Sequence, residues 1–144
     1  MIEIIYKNHH GKWILSKSGQ ETTIYSLKGY MNSLLNMHIT DLEGRLKASA
    51  SVLNRRRNIP VWIDANKCFL VVPNHRFTMR TYINIHSVRA FKGIESDVLL
   101  EFHSGKTFKI KIDLKTFKTR WKRVILDHRL LNHLFSKGSL NMPW

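Results

Sequence analysis

The sequence predicts an α+β fold: a mainly antiparallel sheet with one short internal helix and a long C-terminal helix. Three observations predict it. Short β-prone runs alternate with turn residues near the start and again from Val61 to Asp113. Leu42, Leu46, Ala50 and Leu53 recur at i, i+4, i+8 and i+11, one face of a helix. A longer stripe of the same period runs from Lys115 to Phe135. At 144 residues and 43% hydrophobic, the chain has the material for one core and one domain. That domain is expected over residues 1–138, with 139–144 as a short tail.

Glu3–Lys7 and Lys12–Leu15 flank the turn cluster Asn8-His9-His10-Gly11 and predict a hairpin. Ser16–Gln20 reads as a polar loop, and Thr22–Leu27 is rich in β-formers. Tyr30–Ile39 fits neither period cleanly. Asp41–Asn54 is the internal helix, with Thr40 or Asp41 as its N-cap and Arg45 and Lys47 pointing away from the apolar stripe. Gly44 costs its first turn about 1 kcal/mol relative to alanine. Val61–Asp64 and Cys68–Val72 form a second hairpin around Ala65-Asn66-Lys67, ended by Pro73. Asn74–Thr81 reads as a loop and Tyr82–Phe91 as a strand or bent pair. In Ser96–His103, Val98, Leu100 and Phe102 share one face; Thr107–Asp113 returns with Phe108, Ile110 and Ile112 inward. The last helix presents Phe117, Trp121, Val124, Ile125, Leu131, Leu134 and Phe135 to the core, and Gly138 stops it.

No apolar run approaches the roughly 20 residues of a bilayer span, and the first residues lack the pattern of a signal peptide. No membrane association is expected, and the location is cytoplasmic. The single cysteine, Cys68, excludes an internal disulfide and reads as a buried small hydrophobe.

Charge is the informative quantity. Lys and Arg number 24 against 10 Asp and Glu, a formal +14. Arg45, Lys47, Arg55, Arg56 and Arg57 form one window of +5 with no acid. Lys106, Lys109, Lys111, Lys115, Lys118, Arg120, Lys122 and Arg123, against Asp113 alone, form another of +7. A solubility device would spread its charge, whereas concentration in two windows points to an anionic partner, nucleic acid first. Arg76 and Arg80 add to the cations of the intervening loop.

Catalytic and metal chemistry find little support. No His-Glu-x-x-His, Cys-x-x-Cys, nucleophile-elbow or phosphate-loop pattern occurs, and neither metal nor cofactor is expected. Asp113 and Lys115 with Asp97 or Glu101 could hold Mg²⁺ as restriction-type nucleases do, but Asp113 also suits the N-cap of the last helix. Trp13, Tyr82, Phe108, Trp121 and Trp144 do not form a stacking platform, and Phe108 and Trp121 are assigned to the core. A non-enzyme is expected, with a structural RNA-binding protein or an Asp113/Lys115 nuclease as alternatives.

Five segments in order resemble the ComK family of bacterial competence transcription factors. They are Leu42-Glu43-Gly44-Arg45, Ile59-Pro60-Val61-Trp62-Ile63-Asp64, Phe69-Leu70-Val71-Val72-Pro73, Tyr82-Ile83-Asn84 and Glu101-Phe102-His103-Ser104-Gly105-Lys106-Thr107. Tyr82 stands where the family usually has tryptophan. Members usually continue beyond the last helix, and this sequence ends at Trp144, so a short form is expected. The resemblance implies an activator of competence and DNA-uptake genes. It would bind AT-rich promoter boxes of duplex DNA largely through the minor groove, as a homo-oligomer, with turnover through a proteolytic adaptor. Only Gly44-Arg45 carries over as a motif.

AT-rich tracts narrow the minor groove and draw in arginine more than lysine. Arg45, Lys47, Arg55, Arg56 and Arg57 are therefore expected to read the DNA. Lys118, Arg120 and Lys122 are expected to hold its phosphates.

Overall fold

The unbroken apolar runs at Ile4-Ile5 and Cys68–Val72 imply strands covered on both faces, because successive side chains point to opposite sides. A computed structural model, which describes residues 1–74 and 79–141 (backbone only for 74, 79 and 136–141), shows why. The chain runs β1 (Ile2–Lys7), β2 (Trp13–Lys17), β3 (Gln20–Ile24), α1 (Leu27–Leu35), α2 (Leu42–Leu53), β4 (Val61–Asp64), β5 (Lys67–Asn74) and β6 (Met79–Asn84). After a 3₁₀ turn at Ile85–Ser87 come β7 (Val88–Ile94), β8 (Asp97–Phe102), β9 (Thr107–Ile110) and α3 (Leu114–Asn141). The first six strands form one sheet in the order β3-β2-β1-β6-β5-β4, and the last three form a second, β7-β8-β9. Every pairing in both is antiparallel.

The large sheet divides the core in two. Ile5, Val61, Ile63 and Phe69 face Met31 and Leu35 of α1, with Leu42 and Leu46 of α2 alongside. Ile4, Trp62, Leu70, Val72 and Ile83 face the other way, onto Val98, Leu100 and Phe102 of β8 and Phe117, Val124 and Leu131 of α3. The three layers are thus α1 and α2, the six-stranded sheet, and the small sheet with α3. Val52 and Leu53 pack with the second cluster while Leu42 and Leu46 pack with the first, so α2 lies across the β4 edge.

Buried polar side chains tie the layers. The Glu3 carboxylate accepts from Ser16 Oγ and Gly19 N, both at 2.8 Å, and from Ser104 Oγ in the β8–β9 turn. Burial pushes its pKa up, but these hydrogen bonds and Lys106 outweigh that and hold it below the ordinary value. Asn84 Nδ2 donates to Ile2 O at 2.8 Å where β6 bends away from the large sheet. Cys68 is fully buried, and burial first and then Asp127 push its thiol pKa up.

The α+β class, both early hairpins, the β8–β9 hairpin and the long last helix stand as expected. Several details differ. There are two internal helices, not one: the β-prone stretch ends at Ile24, and Ser26 caps α1 by accepting from Gly29 N at 3.0 Å. The Lys17–Gln20 part of the expected loop is a tight turn, Ser18 and Gly19 both having positive φ. Strand β5 continues through Pro73, paired with Arg80, to Asn74. Helix α3 passes through Gly138 to Asn141, because one glycine costs only about 1 kcal/mol and needs no positive φ there. Leu134 is exposed rather than in the core.

Candidate nucleic-acid interface

The arginines at the start of α2 and just beyond its end are held differently. At its start, Asp41 caps the helix, accepting from Gly44 N at 2.7 Å. A Cβ on Gly44 would stand 3.1 Å from that same Asp41 oxygen, so glycine lets the cap close. One residue on, Arg45 is 8% exposed and not solvent-facing, a correction to its expected outward direction. Arg45, Ser49 and Val52 form a second row beside the leucine row, and this row turns toward Trp62 and α3. The Arg45 guanidinium lies 4.6 Å from the Trp62 ring centre and 5.4 Å from that of Phe135. Its Nε has no hydrogen-bond partner. Burial lowers its pKa, partly offset by Asp64. In this conformation Arg45 cannot enter a DNA groove.

At the other end, Asn54 and Asn58 both adopt left-handed backbone, with φ of 52° and 56°. They bracket Arg55-Arg56-Arg57 and reverse the chain toward Pro60. Arg55 is consumed by structure: its Nη1 donates to Asp127 Oδ1 of α3 at 3.0 Å, and its Nη2 to the other Asp127 oxygen and, at 3.0 Å, to Asn58 O. Arg120 Nη1 donates to Asn58 Oδ1 at 2.9 Å, a second tie between loop and helix. Pinned this way, the loop holds Arg56 and Arg57 outward, both exposed and neither paired with an acid among the described residues.

These side chains border a groove of about 520 Å³. Its floor is apolar, from Val71, Pro73, Leu46 and Ile59, and its rim carries Lys47, Arg56, Arg57, Arg80 and Arg120. No acid is among its described lining residues. Five cations from α2, the following loop, β6 and α3 thus meet around one concavity. Arg80 also hydrogen-bonds the Tyr82 phenol; burial raises that phenol's pKa, and Arg80 opposes the rise. Lys47 pairs with Glu43, its largely exposed i,i+4 neighbour, at 3.3 Å, a weak contact.

The second basic window does not stay together. Lys106 pairs with Glu21 at 2.7 Å and Lys109 with Asp97 at 3.4 Å. Two residues along a helix turn a side chain by about 200°, so Lys118 and Lys122 leave α3 on the flank opposite Arg120. Of the expected DNA-contacting residues, Lys47, Arg56, Arg57, Arg80 and Arg120 are brought together. Arg45 and Arg55 are built into the fold, Lys118 and Lys122 face elsewhere, and Arg76 lies outside the described residues. Sequence reasoning missed Asn58, although the palindromic Asn-Arg-Arg-Arg-Asn was visible as a loop signal.

The acids invoked for a nuclease have structural partners. Asp113 accepts from Thr116 N at 2.9 Å and Thr116 Oγ1 at 2.7 Å, the N-terminal cap of α3, and these bonds lower its pKa. Glu101 pairs with Arg89 at 2.5 Å. No group of three His, Cys, Asp or Glu side chains among the described residues could hold a metal ion. No described helix is long and apolar enough to cross a membrane. The aromatics pack as small inner groups, Phe91 with Phe117 and Trp121, and Tyr6 with Phe108 at 4.7 Å. His86 and His128, distant in sequence, meet with 3.3 Å between their Nε2 atoms.

A protein-family model described as ComK protein matches residues 5–132 of the 144. The chain belongs to the ComK family. ComK membership makes it a member of a family of competence transcription factors, and the match spans the groove, both sheets and all but the end of α3. No curated protein and no solved structure matches the chain.

Proposed function

We propose that this ComK-family chain is a cytoplasmic regulator of competence and DNA-uptake genes that binds AT-rich promoter boxes of duplex DNA, largely through the minor groove, as a homo-oligomer. The observation that carries the DNA reading is the groove rimmed by Lys47, Arg56, Arg57, Arg80 and Arg120, with no acid among its described lining residues. Cations converging from separate elements form a fixed electropositive surface rather than a solvated run. Arg56 and Arg57, exposed on a pinned loop, are the side chains free to enter a narrowed minor groove. Lys47, Arg80 and Arg120 contact the flanking phosphates. The nine acids other than Glu95 are each engaged in a hydrogen bond or ion pair, which leaves the surface excess of positive charge unneutralised.

Selection from random duplex DNA at fixed salt tests this. Enrichment of paired A/T runs by the wild type, lost in the Arg56→Ala/Arg57→Ala protein, is the expected result. Equal binding of all sequences, or tighter binding of duplex RNA, sinks it.

A further inference from the structure

The outer face of α3 is unlike that of an ordinary surface helix. Leu126, Leu130 and Leu134 are 63%, 43% and 43% exposed. Their i, i+4, i+8 spacing makes them one ridge. The core contacts of α3 come from other positions, Phe117, Val124 and Leu131 among them, so the ridge takes no part in holding the helix down. Exposed single leucines need no explanation, but three in register on a helix do. The charges beside them have one sign. Lys122, Arg123 and Arg129 are exposed on the same side, and the one acid in α3, Asp127, is buried against Arg55.

We propose that this ridge docks an acidic amphipathic helix of another protein. Leucines would meet the partner's apolar stripe, and Lys122, Arg123 and Arg129 its carboxylates, the helix-on-helix mode in which apolar anchors give affinity and flanking charge gives orientation. A second copy of this chain is a poorer occupant. Two-fold pairing would set the same cations against each other across the contact. None of the three leucines lines the groove, and they stand roughly 9–21 Å further along α3 than Arg120, so the ridge stays open while the groove is filled.

Fluorescence anisotropy of the full chain with two labelled synthetic peptides tests this. Both peptides carry leucines on one helical stripe, one with glutamates elsewhere and one with lysines. The glutamate peptide should bind, more weakly as salt rises, and the lysine peptide should not. Leu126→Ser/Leu130→Ser should weaken binding by about tenfold or more without changing the melting temperature. Lys122→Glu/Arg129→Glu should transfer preference to the lysine peptide. Arg56→Ala/Arg57→Ala should leave peptide binding intact, and a loss there would put the peptide in the groove and overturn the proposal. So would no binding, equal binding of both peptides, or concentration-dependent dimerisation abolished by the leucine variants. Binding to anionic lipid vesicles lost in those variants would assign the ridge to a membrane surface and equally overturn it.

Discussion

Arg45 and the Arg56-Arg57 pair sit at opposite ends of one helix and carry the same charge, yet they belong to different parts of the molecule. Arg45 lies in a row that α2 turns toward β4 and α3, so it becomes a flat cationic spacer between Trp62 and Phe135. Arg56 and Arg57 lie beyond a left-handed asparagine, where the chain has left the helix and no apolar face remains to cover them. Arg55, between the two, is spent on Asp127 so that its neighbours are held out. Local charge density therefore says little about contact with an anion until it is known which cations the fold has already used.

The largest test of this contrast is Arg45→Ala. Losing two ring contacts and the volume between them should destabilise the protein by roughly 2 kcal/mol, read as a lower urea midpoint. Arg45→Met should stay within about 1 kcal/mol of wild type, because an apolar chain of similar length removes an unpaired buried charge. An Arg45→Ala protein of unchanged stability but weakened preference for AT-rich DNA would return Arg45 to the interface. Arg56→Ala/Arg57→Ala should behave oppositely. Stability should change by less than about 0.5 kcal/mol, while DNA affinity falls about tenfold and the log–log salt slope flattens by nearly two units.

Within α3 the contrast can be sharpened. Arg120→Ala should flatten the salt slope by about one unit, and Lys118→Ala/Lys122→Ala should leave it unchanged. A slope that falls in the lysine variant places both flanks of the helix on DNA.

The smallest effect is on pH dependence, with the same logic of a cationic group set by its surroundings. Burial first, then His128, lower the His86 pKa below the ordinary 6.5, against a smaller opposing pull from Asp64. The unfolded chain therefore takes up the proton first. This contribution is intact above about pH 6.5, declines as pH falls through that value, and levels off once folded His86 is itself charged. The urea midpoint should fall between pH 7 and about pH 5 in wild type and fall less in His86→Asn.

Much of the fold was readable from residue order. Phe108, Ile110 and Ile112 alternate as an outer strand must, and Asp113 announces the start of α3. Helix α1 was hidden by the β-branched Thr22-Thr23-Ile24 before it and by Gly29 inside it, though Leu27, Met31, Leu34 and Leu35 already had helical spacing. The site was half legible. Both basic windows were found, but their division depends on three-dimensional facts. The burial of Arg45 needs α2 to cross a sheet edge and show two inner faces, and a single-stripe reading gives it only one. The meeting of Arg80 and Arg120 with Arg57 comes from strand order and helix phase, which no local pattern reports.

Strand β1 pairs with β2 on one side and β6 on the other, Ile4 lying opposite Ile83. The two neighbours are made at very different times. During synthesis the early hairpin must keep one long, apolar edge open until the chain has reached β6, and Glu3 gains its last hydrogen bond only when Ser104 follows. Such an edge is a template for wrong pairing. The closure of β1 on β6 is non-local in sequence, the kind of pairing that forms later than a hairpin. On this order of synthesis that edge stays open from β2 until β6, before Arg80 and Arg120 are present to line the groove with Arg56 and Arg57.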